Sequence, residues 1–237
     1  MEGDIKACFD EISHPALMDR VRMRVGDKRV LALVKAFLKA GILGEDGQLR
    51  ETDAGTPQGS ILSPLLSNVA LSVLDEYIAQ APGGPGVSRN DRLTRRRHGL
   101  PNYRLCRYAD DWCLVVSGTK ADADTLREEI AGVLSTMGLT LSPEKTLVTH
   151  IDDGLDFLGW HIQRRRKRGT DKSYVYTYPA RRAVKTVTGK VRTICRQNIN
   201  LPLETLLRRW LVKRLSPISE SIFTTFQGFL WNALTGE

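Results

Sequence analysis

The chain has 237 residues, of which 41% are hydrophobic and 26% are charged, a composition typical of a globular protein. The length suffices for one large domain, or for an ordinary domain with a smaller appendage. No apolar stretch is long enough to cross a bilayer, and the N-terminus, MEGDIKACFDEI, has neither a basic leader nor an apolar signal core. We therefore expect a cytoplasmic protein without membrane contact.

Positive charge is concentrated in the last third of the chain. The net charge is +8 and the pI is near 9.5. A basic run, Arg164 to Arg168, is followed by further Lys and Arg residues up to Arg196, and the only acidic residue in this segment is Asp171. Such a stripe suits a polyphosphate partner, because phosphate neutralisation releases condensed counterions. The alternative is a solvated basic helix face.

The first half of the chain predicts a strand and several helices. In chain order they are a strand, DIKACF, a helix from SHPALMDRV, a helix after Asp27, and a long apolar helix that follows the glycine-punctuated loop AGTPQGS. A segment rich in Gly, Pro and Arg, QAPGGPGVSRNDRLTRRRHGLPN, then predicts a mobile loop. The four cysteines show no metal-binding spacing and are expected to be reduced: Cys8, Cys106, Cys113 and Cys195.

The second half predicts a hairpin, a helix and further strands. YRLCRYADDWCLVV predicts two strands around a tight turn, ADADTLREEIAGVLSTM an amphipathic helix, and LTLSPEKTLVTH and LDFLGWHIQRRR further strands. Without the extra helices the order is β-α-β-β-α-β, which is that of a ferredoxin-like sheet in the α+β class. From residue 164 onward we expect a mostly helical basic region.

Three carboxylates are expected to converge in this arrangement. The first strand and the central hairpin are neighbours in such a sheet, so Asp4 should lie close to Asp110 and Asp111. Clustered carboxylates raise one another's pKa unless a cation lies among them, and hard divalent cations prefer oxygen ligands. Two such ions can clamp the attacking and leaving oxygens of a phosphoryl transfer. Aspartates are also common in solvent-exposed turns, so the alternative that Asp110 and Asp111 only form such a turn stays open.

The motifs resemble a known family when they are read in order. RYADD with its flanking strands is similar to the catalytic hairpin of reverse transcriptases. EGDIKACFDEISH, TPQGSILSPLLSNVAL, LTLSPEKT and DFLGW stand in the order found in group II intron-encoded reverse transcriptases and maturases. The resemblance implies a ferredoxin-like polymerase palm followed by a mostly helical thumb. It also implies RNA-directed DNA polymerase activity that uses two Mg²⁺ ions, with Mn²⁺ as an alternative.

The resemblance also implies roles for particular residues. Metal binding falls to Asp4, Asp110, Asp111 and the Ile5 carbonyl, and Lys145 assists the leaving pyrophosphate. The nucleotide site comprises Phe9, Gln58 and Gly59, and the primer grip comprises Phe157, Leu158, Gly159 and Trp160. Nucleic acid is contacted by Arg164, Arg165, Arg166, Lys167, Arg168, Arg181 and Arg182. Taken without the family, Phe9 is equally a core aromatic, Lys145 a surface lysine and Thr-Pro-Gln-Gly a helix-entry turn.

The implied domains are a palm over 1–163 and a basic helical thumb, or maturase X-like region, over 164–237. Relatives carry a fingers segment before the first aspartate, whereas Asp4 is the fourth residue here, and their C-terminal pattern continues further. We therefore expect a truncated chain or a fragment, with a split protein completed by a separate fingers chain as the alternative, and the truncation weakens the expectation that the chain polymerises by itself. The implied partners are an RNA template or intron RNA, a DNA primer and deoxynucleoside triphosphates.

Two other functions remain open at this point. The first is a non-catalytic RNA-binding remnant or maturase-like splicing factor, which would retain the basic stripe without polymerising. The second is a nucleotide cyclase on a similar sheet, but cyclases of that kind need Gly-Gly-Asp/Glu at the hairpin, where this chain has Tyr-Ala-Asp-Asp.

Overall fold

The computed structural model describes residues 1–43, 49–50, 54–56 and 60–197. The helices are α1 (Cys8–Glu11), α2 (His14–Arg22), α3 (Lys28–Lys39), α4 (Ser63–Gln80), α5 (Arg89–Arg97), α6 (Lys120–Ser135) and α7 (Arg181–Gln197). The strands are β1 (Glu2–Gly3), β2 (Ile5–Lys6), β3 (Ile42–Leu43), β4 (Leu49–Arg50), β5 (Asn102–Tyr108), β6 (Asp111–Ser117), β7 (Thr140–Leu141), β8 (Leu155–Phe157), β9 (Trp160–Arg166) and β10 (Ser173–Pro179). The chain divides into two compact units, Met1–Val148 and Thr149–Glu237.

The sheet of the first unit is built around the β5–β6 hairpin. These strands pair antiparallel from Asn102 opposite Ser117 to Tyr108 opposite Asp111. On the other edge of β6, β1 pairs antiparallel with Gly3 opposite Trp112. The chain then continues through Asp4 into β2, which pairs antiparallel with β7. Asp4 therefore lies where the chain leaves one strand partner for another.

Helices α2, α4 and α6 supply most of the core of this unit. Their innermost side chains are fully buried: Leu17 on α2, Leu71, Leu74 and Ile78 on α4, and Leu126, Ile130 and Leu134 on α6. Each such side chain stabilises the fold by roughly 1.5–3 kcal/mol relative to an exposed position. The i, i+3, i+4 spacing that predicted the amphipathic helix in the sequence is thus the face that packs inward.

The predicted first strand, DIKACF, is only partly correct. The strand begins earlier, at Glu2, and the chain turns at Ala7, whose φ is 42°. The Ala7 carbonyl accepts hydrogen bonds from the Asp10 and Glu11 amides at 2.8 and 3.0 Å, so α1 begins at Cys8. These local helical bonds prevail over the strand propensity of the apolar run.

The predicted mobile loop after α4 contains a helix. Ser88 caps α5 by accepting a hydrogen bond from the Asp91 amide at 3.1 Å, and its hydroxyl donates to the Asp91 carboxylate at 2.6 Å. A serine followed three residues later by an acid is a helix start signal, which the density of Gly, Pro and Arg obscured. The residues of α5 are mostly exposed, so the helix presents a basic surface.

The second unit contains a three-stranded antiparallel sheet, in the order β10-β9-β8, and helix α7. The expectation of a mostly helical region from residue 164 is corrected here, because β9 continues to Arg166 and β10 covers 173–179 before the helix begins at Arg181. Alternating aromatic and small residues in SYVYTYP favour a strand. The predicted functional division at 163–164 stays a prediction, and residues 198–237 lie outside the described residues.

Candidate active site

The tight turn between β5 and β6 presents two adjacent carboxylates. Tyr108 and Asp111 form the last pair of the hairpin, so Ala109 and Asp110 are its two loop residues. Ala109 has a φ of 54°, a conformation usually taken by glycine at this position of a hairpin turn. For a residue with a Cβ that backbone costs roughly 1–2 kcal/mol. Strain of this kind persists where surrounding contacts enforce it, which is frequent at functional sites.

One of these contacts is the hydrogen bond that the Arg107 guanidinium donates to the turn. Arg107 donates from Nη1 to the Ala109 carbonyl at 2.9 Å. The same guanidinium binds the Asp75 carboxylate of α4 in a bidentate manner, at 3.0 Å from Nε and 2.5 Å from Nη2. It also donates to Asn68 Oδ1 at 2.8 Å. The Arg107 side chain is only 12% exposed, whereas that of Asp75 is 42% exposed, so the turn is tied to helix α4 through a partly buried ion pair.

Sequence reasoning did not identify Arg107 as a functional residue, although a signal was present. Asn68 and Asp75 are seven residues apart and lie on one face of α4, and Arg107 stands directly before Tyr-Ala-Asp-Asp. Two polar side chains seven residues apart on a helix face can be bound by one partner on a neighbouring element.

We predict that Arg107→Lys lowers the free energy of unfolding by about 1–2 kcal/mol, because a lysine keeps the charge but cannot bind Asp75 in a bidentate manner. Denaturant unfolding measures the change. In a double-mutant cycle with Asp75→Asn we expect a coupling of about 1 kcal/mol or more. Arg127→Lys is the matched control, since Arg127 pairs with exposed acids on α6. Additive effects of Arg107→Lys and Asp75→Asn would contradict the role of this pair.

The third carboxylate, Asp4, is fixed by its backbone and paired through its side chain. The Asp4 carbonyl accepts a hydrogen bond from the Ser142 amide at 2.9 Å, which ties it to the end of β7. Lys145, in the turn after β7, places its Nζ 3.2 Å from Asp4 Oδ2. The Lys145 side chain is 69% exposed, so this ion pair is worth little stability, between about 0 and 1 kcal/mol. The structure thus brings together the predicted residues Asp4 and Lys145.

The carboxylates influence one another electrostatically. The pKa of Asp111 is raised, first by partial burial and then by the negative charges of Asp110 and Asp4. Asp110 and Asp4 are themselves half-buried, whereas Asp111 as a whole residue is exposed. Within the part of the chain that the structure describes, however, no three His, Cys, Asp or Glu side chains are gathered into a ready metal site. The three aspartates are close enough to repel, and a cation would have to draw them together.

The backbone carbonyl of Ile5, which was predicted as a metal ligand, does not take part in the hydrogen bonds between β2 and β7. Because the Ser142 amide donates to Asp4, the register makes Ile5 and Leu141 a pair without mutual hydrogen bonds. The N–H and C=O of Ile5 therefore point away from β7. The Ile5 side chain is buried, which holds this orientation.

Phe9 lies beside the start of the predicted nucleotide loop. Its carbonyl accepts a hydrogen bond from the Thr56 amide at 2.6 Å, and the Gly55 amide donates to the Ile12 carbonyl at 2.8 Å. A Cβ on Gly55, whose φ is 82°, would lie 2.6 Å from the carbonyl oxygens of Phe9 and Asp10. Glycine is therefore required at position 55. The Phe9 side chain is half-buried, and the predicted residues Gln58 and Gly59 lie outside the described residues.

A glycine and a tryptophan join the two strands that carry the aspartates. Gly3 directly precedes Asp4, Trp112 directly follows Asp111, and the two residues are paired across β1 and β6. A Cβ on Gly3 would overlap the Trp112 ring, which is only 1% exposed. Sequence reasoning missed this contact. The signal was a glycine inside a strand, which often marks the close approach of another group.

The predicted primer grip is a tight hairpin in the second unit. Phe157 and Trp160 are paired across β8 and β9, so Leu158 and Gly159 form the turn, with φ values of 48° and 82°. Positive φ at both positions is the type I′ geometry that matches strand twist. Phe157 is buried, and the Ala180 amide donates to the Gly159 carbonyl at 2.9 Å.

The predicted nucleic-acid contacts differ in how their charge is compensated. Arg164 binds the Asp152 carboxylate through Nε and Nη2 at 2.6 and 2.8 Å, and Arg166 pairs with Asp171. The pKa of Asp152 is lowered, chiefly by its hydrogen bonds from Arg164. The other candidates in the described region are exposed: Arg165, Lys167, Arg168, Arg181 and Arg182.

Comparison with known proteins identifies the family. Residues 1–162 match the family described as reverse transcriptase (RNA-dependent DNA polymerase). The chain therefore belongs to the reverse transcriptase family, and the resemblance predicted from the motifs is confirmed at that level.

The relatives of the chain include intron-encoded proteins. It is 37% identical over 198 residues to Protein YkfC of Escherichia coli K12, with 77% of this chain and 51% of that protein covered. It is 32% identical over 216 residues to the group II intron-encoded protein LtrA of Lactococcus lactis subsp. cremoris, with 73% and 36% covered. The chain thus spans about half the length of the first relative and about a third of the second.

The chain also resembles a solved structure, at a lower sequence identity than these relatives. Telomerase from Candida albicans, in complex with a fragment of telomeric RNA, has a TM-score of 0.47 and 16% sequence identity. The match covers 97% of this chain and 39% of that chain.

Proposed function

We propose that this chain forms the palm of an RNA-directed DNA polymerase of the group II intron type, which joins deoxynucleotides to the 3′-hydroxyl of a DNA primer on an RNA template. The observation that carries the proposal is the electrostatic cluster of Asp4, Asp110 and Asp111 in a chain of the reverse transcriptase family. The strand pairings support a ferredoxin-like palm, because they give the order β7, β2/β1, β6, β5.

The donor set fits a pair of Mg²⁺ ions, or Mn²⁺ in their place. Asp4, Asp110 and Asp111 offer carboxylate oxygens and Ile5 offers a carbonyl, and hard divalent cations take such oxygen ligands. The raised pKa of Asp111, caused first by burial and then by the charges of Asp110 and Asp4, supports a role for a cation that would offset this repulsion. When bound, such ions stabilise the attacking 3′-oxygen and the leaving pyrophosphate oxygen of an in-line displacement.

The chain's own residues then have distinct roles in the proposed reaction. The strained turn and Arg107 hold Asp110 and Asp111 in place, so that little reorganisation is needed when substrate binds. Lys145 lies beside Asp4 and assists the leaving pyrophosphate as a cation or as a proton donor. As the family resemblance implies, we assign Phe9 to the exclusion of a ribose 2′-hydroxyl, and Gln58 and Gly59 to contacts with the incoming nucleotide.

The second unit completes the proposal as a nucleic-acid-holding region. The hairpin of Phe157, Leu158, Gly159 and Trp160 supports the primer end, and the basic residues from Arg164 onward contact phosphates of the template–primer duplex. Exposed cations at the start of α7, where the first turn has no acidic residue, suit an A-form duplex gripped through its backbone.

A primer-extension assay tests the activity. We expect Mg²⁺-dependent incorporation of dTTP on poly(rA)/oligo(dT), and we expect Asp110→Ala to lower it by at least about 10³-fold, since a metal ligand is lost. Asp153→Ala is the matched control, because Asp153 is exposed in a turn of the second unit. Activity that survives Asp110→Ala would refute the assigned mechanism.

A second function, RNA binding in support of intron splicing, is favoured by the exposed cations Arg181 and Arg182. It predicts salt-sensitive binding to structured RNA with no primer extension, even after a fingers segment is added. A chain that fails to bind RNA near physiological salt would contradict this function.

A further inference from the structure

One face of the sheet in the second unit carries a row of tyrosines. Tyr174, Tyr176 and Tyr178 alternate along β10, so they project from the same side of the sheet. Directly opposite them on β9 are Arg165, Gln163 and His161. We call this surface the tyrosine face, and it consists of these six residues.

The other side of the same sheet is the apolar one. Ile162 and Phe157 lie on it and are 0% and 6% exposed. The tyrosine face therefore does not form the core of its own sheet. Tyr176 is 39% exposed, and Tyr174 and Tyr178 are half-buried.

The arginines of β9 lie on opposite faces of the sheet and differ in their partners. Arg164 and Arg166 project to the apolar side and are paired with Asp152 and Asp171. Arg165 projects to the tyrosine face, where its Nε donates to the neutral Gln163 amide oxygen at 2.7 Å.

The Arg165 guanidinium also lies 5.5 Å from the centre of the Tyr178 ring, a cation–π geometry. The His161 ring stacks on the same Tyr178 ring, with 5.5 Å between the two ring centroids and an interplanar angle of 24°. One carboxylate, Asp156, accompanies the face and is held by His161 Nδ1 at 2.6 Å. Exposed cations surround the hairpin tip at Lys167, Arg168 and Lys172.

We infer that the tyrosine face binds unpaired bases of a single-stranded nucleic acid, with Tyr176 as the principal stacking platform. The inference rests on the proposed function, which makes nucleic acid the partner of this chain. Aromatic rings stack on bases of any sequence, and nearby cations attract the backbone phosphates. Tyr178 is already covered by His161 and Arg165, which leaves Tyr176 and Tyr174 for bases.

The spacing of the rings favours a single strand over a duplex. Alternate residues on a strand repeat every ~6.8 Å, whereas bases stacked in a helix repeat every ~3.4 Å. One base can therefore lie on each ring only if neighbouring bases are unstacked. Single strands permit this, while a duplex keeps its bases stacked and offers its backbone instead.

Fluorescence anisotropy with labelled oligonucleotides tests the inference on the full chain. We expect Tyr176→Ala to weaken binding of a single-stranded U₁₂ oligomer by about 10-fold or more, because a stacking platform is lost. Tyr176→Phe keeps the ring and should stay within about 2-fold of the wild type. Leu33→Ala, at a 70% exposed position on α3, is the control and should have no effect. Binding of a 12-base-pair RNA duplex should be unchanged by Tyr176→Ala.

Salt titrations give an independent measurement. Arg165→Met should lower the slope of log K against log salt by about 0.7 for the single strand, which corresponds to one phosphate contact. Parallel titrations with dT₁₂ distinguish an RNA strand from a DNA strand as the source of the unpaired bases.

Three outcomes would overturn the inference. They are single-strand binding that is insensitive to Tyr176→Ala, an equal loss with Tyr176→Phe, and an equal loss for duplex and single strand. In the first case a protein segment would be the better candidate for this face.

Primer extension separates this test from that of the proposed function. Extension with Tyr176-independent binding refutes the tyrosine face alone, and Tyr176-dependent binding without extension refutes only the polymerase.

Discussion

Replacement of Asp111 by Asn is expected to abolish Mg²⁺-dependent primer extension and, at the same time, to raise the melting temperature of the metal-free protein by roughly 1–2 °C. Burial and the charges of Asp110 and Asp4 raise the pKa of Asp111, so its ionised form is disfavoured in the folded chain. An amide of the same shape removes this repulsion. It also removes an anionic ligand that the proposed chemistry requires.

The pH dependence follows from the direction of the shift. A carboxyl group whose pKa is higher in the folded chain binds protons more readily there, so folding is favoured as the pH falls. The loss of folding free energy caused by Asp111 is therefore largest above its raised pKa. It decreases as the pH falls through that pKa and vanishes below the ordinary value of 3.8. The melting temperatures of wild type and Asp111→Asn should converge in acid.

Metal titration should reverse the order of stability. Mg²⁺ is expected to stabilise the wild type by mass action and to leave Asp111→Asn nearly unchanged. Differential scanning fluorimetry at pH 7 and at low pH, with and without Mg²⁺, measures both effects. Asp122→Asn is a control of opposite sign, because hydrogen bonds from Thr119 at the start of α6 lower the pKa of Asp122. An Asp111→Asn variant less stable than wild type in the absence of metal would contradict the repulsion.

Local signals in the sequence were sufficient to predict helix α3, where they act within a few residues. Asp27 precedes the helix and accepts a hydrogen bond from the Arg29 amide, and Gly41 follows it with a φ of 72°. Helix α5 was missed because its cap, Ser88, is embedded in a segment rich in residues that break helices. Formation of α5 depends on the hydrogen bonds of the Ser88 side chain, although the composition of the segment is unfavourable for a helix.

The proximity of the three aspartates was predictable from the sequence, but the contacts that hold them were not. Asp4, Asp110 and Asp111 could be recognised from motif order, and the structure places them within electrostatic range. The supports, Arg107 with Asp75 and Gly3 with Trp112, depend on partners that are distant in sequence. Periodicity describes one element at a time, so it does not reveal which residue of another element fills a contact.

Gly3→Ala is expected to be a strongly destabilising single-methyl change. The added Cβ would overlap the indole ring of Trp112, which is only 1% exposed. Overpacking of a tight core typically costs about 1–3 kcal/mol, and we expect a value near or above 3 kcal/mol here because a rigid ring must move. Denaturant unfolding followed by far-UV circular dichroism measures the loss.

A matched substitution with the opposite sign is available in the same unit. Gly132 lies on an exposed turn of α6, with no atoms within 4 Å of an added Cβ. Gly132→Ala should therefore stabilise the protein by about 0.5–1 kcal/mol, because alanine loses less backbone entropy in a helix. The same chemical change in two places thus separates a steric effect from a general effect of alanine.

The contact between Gly3 and Trp112 also makes a prediction for function, because these residues flank Asp4 and Asp111 directly. If overlap with the ring is the cause of damage, Trp112→Phe should recover part of the stability lost in Gly3→Ala, giving a coupling of at least about 1 kcal/mol. Primer extension by the folded fraction of Gly3→Ala should still be impaired, because displacement of the ring separates the strands that hold the aspartates. Full activity per folded molecule would show that the carboxylates keep their positions without this contact, and the strand pairing itself would then be sufficient to hold the site.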